Sequence, residues 1–121
     1  MHYIDGFVIP IPKRKVPAYR RIAQKAGKIW MDHGALAYVE AVGDDFRPAG
    51  IVATFPKLAR ARAGETVIFS YIVYKSRTHR DRVNAKVMKD PRMLRMAEGG
   101  EPMPFDMKRM SYAGFKSIVD R

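Results

Sequence analysis

The nine residues from Thr66 to Tyr74 read TVIFSYIVY, and they constrain the fold more than any other part of the chain. All but Ser70 are β-branched or aromatic, and none is charged, which predicts a strand. Successive side chains of a strand face opposite sides. Val67, Phe69, Tyr71 and Val73 therefore oppose Ile68, Ser70, Ile72 and Tyr74. Both sides are largely apolar. Tyr3 to Ile11 (YIDGFVIPI) repeats the pattern, with Tyr3, Asp5, Phe7 and Ile9 on one side and Ile4, Gly6 and Val8 on the other. A sheet with one wet face alternates apolar with polar residues instead. The chain must therefore cover both faces of its sheet.

With 121 residues, the chain has the length of one domain, expected to span 1–121. Pro17 suits the first turn of a helix, where a missing N–H costs nothing. Tyr19, Ile22, Ala23, Ala26, Ile29, Trp30 and His33 then recur every three or four residues and form one helical face. Gly34 is a fitting stop. Leu36 to Val42 predicts a second strand. Gly43 to Gly64 is irregular, with a short strand over Ile51 to Phe55 and a helical turn over Leu58 to Arg62 as the elements it could hold. Ser76 is a plausible N-cap for a helix over Arg77 to Lys89, which Asp90-Pro91 breaks. Arg92 to Glu98 adds one more turn. Gly99-Gly100 and the Pro102/Pro104 pair make a loop, and Lys108 to Lys116 predicts the last strand.

The order βαββαβ points to an α+β fold: a ferredoxin-like sandwich with a four-stranded antiparallel sheet and both helices on one face. The helix-free face would be an apolar patch of a kind soluble monomers rarely expose. The expected solution is a homodimer packed sheet against sheet. Burial under the 43–64 segment is the alternative.

Composition excludes several classes. Without cysteine there is no disulfide, thiolate nucleophile or thiolate zinc site. No stretch approaches the ~20 apolar residues of a membrane span. Met1 to Asp5 does not open a signal peptide, so a cytoplasmic protein is expected. Net charge is +11, with seven basic residues and no acid between Lys13 and Lys28. Such a surface attracts polyanions. However, no nucleic-acid motif accompanies it, and two solvated helix faces are the plainer account of it. His2, His33 and His79 have no paired spacing, and no metal or cofactor is expected.

Some residues nevertheless carry chemistry. Arg80 and Asn84 stand four apart on the apolar face that includes Val83 and Val87. Buried there, they hold either a ligand carboxylate or enolate, or a structural partner such as Asp5 or Glu40. Asp5 lies in an otherwise apolar strand, as a general base or as the partner of a cation such as Arg109. His33 at a helix end is a base, a ligand or a simple interaction with the helix terminus. Tyr38, Tyr71, Tyr74, Tyr112 and Trp30 line a flat cavity or fill the core. Met88, Met93, Met96, Met103, Met107 and Met110 cluster late in the chain, as a lid or as loose packing.

Asp5-Gly6-Phe7-Val8, Gly34-Ala35-Leu36, Val67-Ile68-Phe69-Ser70, Asp90-Pro91-Arg92-Met93 and Met103-Pro104-Phe105-Asp106, followed by Lys108-Arg109-Met110, occur in this order. On these residues the chain resembles the YbaA-like proteins (domain of unknown function 1428) over nearly its whole length. The resemblance implies a dimeric α/β barrel, in which two ferredoxin-like sheets close on each other. That superfamily contains cofactor-free monooxygenases, isomerases and ligand-binding modules. The resemblance also marks Arg80, Asp81 and Asn84 as site candidates, joined here by Tyr112 for ligand binding, with Asp5 and His33 to move a proton. The chain departs from the family pattern at Ala41, where a cysteine often follows the strand-two glutamate, at Ser70-Tyr71 for Ser-Trp, and at Ala113-Gly114 for a double glycine. The expected function is binding of a small apolar or aromatic molecule with a polar handle, between sheet and helices. Oxygenase or isomerase turnover, and a non-enzymatic interaction module or polyanion binder using the basic helices, are the alternatives.

Overall fold

The computed structural model describes residues 1–47, 50, 52–99 and 102–121. Four strands, β1 (Tyr3–Pro12), β2 (Ala37–Val42), β3 (Glu65–Tyr74) and β4 (Ser111–Lys116), form one antiparallel sheet in the order β2-β3-β1-β4. The helices are α1 (Val16–Asp32), the single turn α2 (Phe55–Leu58), α3 (Arg77–Lys89) and α4 (Pro91–Glu98). The two strongest strand segments of the sequence, β1 and β3, are the central pair. They are in register from Tyr3 opposite Tyr74 to Pro12 opposite Glu65.

β1 runs through Pro10 and ends at Pro12. Pairing with β4 stops at Val8, so this stretch of β1 has only β3 beside it, and a missing N–H is tolerated where one edge is free. Pro17 occupies the first turn of α1 as expected, and Gly34 follows the helix end with φ +109°. Ser76 accepts from the His79 N–H and caps α3. Three boundaries differ from expectation. Phe55 begins α2 instead of closing a strand, residues 52–54 form no strand, and Ile51 lies outside the described residues. Arg92 to Glu98 is a full two-turn helix, since Pro91 starts it and Asp90 caps it. Lys108 and Arg109 form a 3-10 turn capped by Asp106, which delays β4 to Ser111.

The core lies between the sheet and the helices. One half joins Ile29, Ile72, Tyr74, Val83 and Val87; the other joins Ile9, Ile11, Tyr19, Ala23 and Ile68. The opposite sheet face carries Ile4, Val8, Val39, Tyr71 and Val73, all half-buried, with Phe69 44% and Phe115 56% exposed. Among the described residues the chain covers one end of it, where Phe55 meets Phe69 edge to face at 5.8 Å.

Candidate functional site

The helix-facing side of the sheet holds two carboxylates, and the structure treats them differently. Asp5, on β1, is 2% exposed. Arg80 reaches it from α3, with Nη1 donating to Asp5 Oδ1 at 3.0 Å and to the Tyr112 hydroxyl at 2.6 Å. Nη2 donates to the Tyr3 hydroxyl at 3.4 Å, and the guanidinium carbon sits 4.9 Å from the Tyr3 ring centre. The Tyr112 hydroxyl donates in turn to Asp5 at 3.0 Å. Arg80 Nε lies 2.9 Å from Asp81 Oδ1, but its N–H is not aimed there, so this contact is an ion pair without a hydrogen bond.

The fold thus brings together Asp5, Arg80, Asp81 and Tyr112. Of the two structural partners the sequence offered for Arg80, it selects Asp5. Arg109, the cation expected beside Asp5, instead makes a bidentate pair with Glu65, both bonds at 2.7 Å. The reason is topological: the 3-10 turn carrying Arg109 lies ahead of β4, near the Glu65 end of β3 rather than beside Asp5. Asn84 joins a separate junction. Its Oδ1 accepts from Trp30 Nε1 at 3.1 Å and from the Tyr74 hydroxyl at 3.2 Å, tying α3 to α1 and β3.

His33 lies elsewhere again. Its Nε2 is 2.7 Å from Asp90 Oδ2, and Asp90 also accepts from Arg92. Arg92 bridges back to Asp32 at 2.7 Å, which clamps the end of α1 to the start of α4. Arg92, and then His33, hold the Asp90 carboxyl well below the usual range. Among the described residues no three His, Asp or Glu side chains gather in a metal-binding group.

Glu40 is the second carboxylate. It lies on β2 opposite Ser70 of β3 and faces α1. Tyr19 donates to Glu40 Oε2 at 2.5 Å and Tyr38 donates to Oε1 at 3.0 Å. No cation pairs with it among the described residues. Burial pushes the Glu40 carboxyl above its ordinary value, and the bonds from Tyr19, Tyr38 and Ser70 only partly oppose this. Both tyrosine hydroxyls are pushed up too, first by burial.

Glu40 and Tyr38 line a cleft of about 660 Å³ between α1 and β2. Val16, Ala23, Met31, Val42 and Ile68 supply apolar wall, while Arg20, Gln24 and Lys28 stand on its helix side. Gly27 sets its width: a Cβ there would lie 2.7 Å from the Tyr38 ring. This volume falls in the range that holds small organic molecules. Of the aromatics expected to line a cavity, Tyr38 does so. Tyr71, Tyr74, Tyr112 and Trp30 do not line this one. Sequence reading met Glu40 only as a possible partner for Arg80. The signal that could have found it was a lone acid in LAYVEAV, facing the same side as Tyr38 and Val42.

Comparison with known proteins adds family and fold. Residues 2–107 match the model of the family described as Protein of unknown function (DUF1428). The YbaA proteins of Escherichia coli K12 and Shigella flexneri are each 48% identical over 120 residues, covering 99% of both chains. Among solved structures, a NIPSNAP domain protein from Burkholderia xenovorans aligns with TM-score 0.56 at 13% identity, covering 97% of this chain and 95% of the other. A NIPSNAP family protein from Agrobacterium tumefaciens aligns with TM-score 0.57 at 17% identity, covering 96% and 87%. At these identities the two structures support the fold alone.

Proposed function

The chain belongs to the DUF1428 family, and from that premise we propose that it is a homodimeric small-molecule-binding protein whose site is the cleft between α1 and β2. The observation that carries this reading is the cleft itself, about 660 Å³ of largely apolar wall closing on an uncompensated carboxylate. An apolar or aromatic body fits the walls, and Glu40 and the tyrosines meet a polar handle. Enzymatic versions of the reading, a cofactor-free oxygenase or isomerase, would draw their base from the same carboxylate.

The dimer rests on the helix-free sheet face. Phe69 and Phe115 stay about half exposed on a surface otherwise built from Ile4, Val8, Val39, Tyr71 and Val73. A second copy packed there would complete a ferredoxin-like dimeric α/β barrel and remove an apolar patch from water. No helix among the described residues is long and apolar enough to cross a membrane. A cytoplasmic location accords with that.

Two measurements test the reading. Sedimentation at micromolar concentration should give twice the 13.8 kDa of one chain, and a single-chain mass overturns the dimer. Saturable thermal stabilisation by one member of a panel of flat apolar molecules supports the cleft. Its absence across the panel counts against it.

A second reading places an anionic ligand at Arg80, Asp81, Asn84 and Tyr112. The buried Arg80 Nε, which has no hydrogen-bond partner, favours it. A third is polyanion binding. Of the seven cations between Lys13 and Lys28, only Lys28 is ion-paired among the described residues, with Asp32. Steep salt dependence of nucleic-acid retention would support this third reading.

A further inference from the structure

The hydrogen-bond bookkeeping around Glu40 specifies what the cleft accepts. A tyrosine hydroxyl has one proton to give, and Tyr19 and Tyr38 both give theirs to Glu40. What remains on the two phenol oxygens is lone pairs. The carboxylate has about four acceptor positions. The tyrosines occupy one on each oxygen, and Ser70 lies opposite on β3. The polar floor of the cleft therefore presents acceptors only. A ligand that brings only acceptors to this floor would set lone pair against lone pair at Glu40 and the two phenols, which is costly.

Charge narrows the class further. Arg20 and Lys28 stand at the helix side of the cleft, and Lys28 is 3.2 Å from Asp32. Cations at the mouth disfavour a cationic ligand. A carboxylate or phosphate would be repelled at the floor by Glu40. A neutral molecule with a proton to donate satisfies both ends.

We propose that Glu40 is the anchoring acceptor of this cleft, and that the cleft takes neutral, flat, apolar molecules carrying an O–H or N–H donor, the phenol being the simplest class. This rests on the reading of the cleft as a binding site and adds to it the chemistry of the handle. A site built to hydrogen-bond a hydroxyl discriminates strongly against an analogue that lacks it. Tyr19 from α1, Tyr38 on its own strand and Ser70 on β3 are the groups against Glu40, while Arg20, Gln24 and Lys28 of α1 line the same cleft. Protonating Glu40 turns an acceptor into a donor. Discrimination should thus weaken as pH falls through the raised Glu40 value, while both tyrosines stay protonated throughout.

The probes are 4-nitrophenol, held below its own pKa, and 4-nitroanisole, which has the same body with the donor methylated. Binding is followed by amide chemical shifts of α1 and β2. The full chain should bind the phenol at least about tenfold more tightly than the ether. In Glu40→Gln the preference should fall to about threefold or less, because a neutral amide accepts more weakly than a carboxylate. Tyr38→Phe keeps the carboxylate and frees one of its lone pairs, so the preference should persist or grow. It also provides the test if Glu40→Gln does not fold. Equal binding of both probes by the wild-type chain overturns this inference and leaves the cleft reading standing. A preference for the phenol that survives intact in Glu40→Gln, or disappears in Tyr38→Phe, also overturns it. If neither probe shifts α1 or β2 resonances, the cleft reading fails and this inference with it.

Discussion

Asp5 and Glu40 are carboxylates on the same side of the same sheet, yet they have opposite relations to charge. Asp5 is sealed beneath a guanidinium and two phenols. Among the described residues Glu40 has two phenols and no cation. In a buried pair of opposite charges, each partner compensates the other. A half-buried carboxylate that receives hydroxyls and no cation keeps unspent acceptor capacity and a carboxyl that resists ionisation. The difference teaches that burial of an acid does not by itself mark a site. What matters is whether the fold supplies a countercharge. Position explains why one is supplied and the other is not. β1 is central and lies under α3, which brings Arg80. β2 is an edge strand under α1, whose cations Arg20 and Lys28 line the cleft without pairing with Glu40.

The most direct way to break this comparison is Arg80→Ala. It should leave Asp5 buried without a cation and cost roughly 3–5 kcal/mol of unfolding free energy, read by denaturant titration. Replacing both partners, as in Asp5→Leu with Arg80→Met, should recover most of that loss. A single variant as stable as wild type would mean that Asp5 does not depend on its cation.

Gly27→Ala sharpens the other side of the comparison. The added methyl meets the Tyr38 ring, which is held by its bond to Glu40. A clash of about 1–3 kcal/mol should outweigh the gain of about 1 kcal/mol from replacing a helical glycine. Stability should drop slightly, and any ligand of the cleft should bind more weakly. Undiminished binding would move the ligand elsewhere.

pH separates the two kinds of carboxylate by sign. Arg109, chiefly, holds Glu65 down to about 2, and Arg92 and His33 depress Asp90. Their contribution to stability is present above the ordinary carboxylate range and is lost as pH falls through the depressed values. Glu40 is raised, so its contribution is present below the ordinary glutamate value and is lost as pH rises through the raised one. Thermal unfolding should therefore show Asp90→Asn less stable than wild type at neutral pH, with the gap closing in acid.

The smallest expected effect is that of Glu40→Gln. At neutral pH its melting temperature should equal or slightly exceed that of wild type, because the amide avoids burying a charge. The two should converge in acid. A large loss on this substitution would place Glu40 with Asp5 as a structural acid and end the contrast.

Local chemistry along the chain determined much of this protein. Periodicity and caps placed α1, α3 and the four strands, because Pro17, Gly34, Ser76 and Asp90 act on the backbone within a turn of where they stand. The family resemblance was legible for a related reason, since it rests on contiguous runs such as DGFV and MPFD. The apolar character of both sheet faces was likewise written into β1 and β3. Which side chains would meet was not. Asp5 and Arg80 are 75 residues apart, and Tyr19 and Glu40 are 21 apart. Sequence could offer Arg80, Arg109 and Glu40 as interchangeable partners because charge alone does not specify register. Only the packed structure, with β1 under α3 and β2 at the edge under α1, decided that one acid would find a cation and the other only hydroxyls. Pairing across a sheet is a property of strand order and helix placement, and neither is encoded in any one segment.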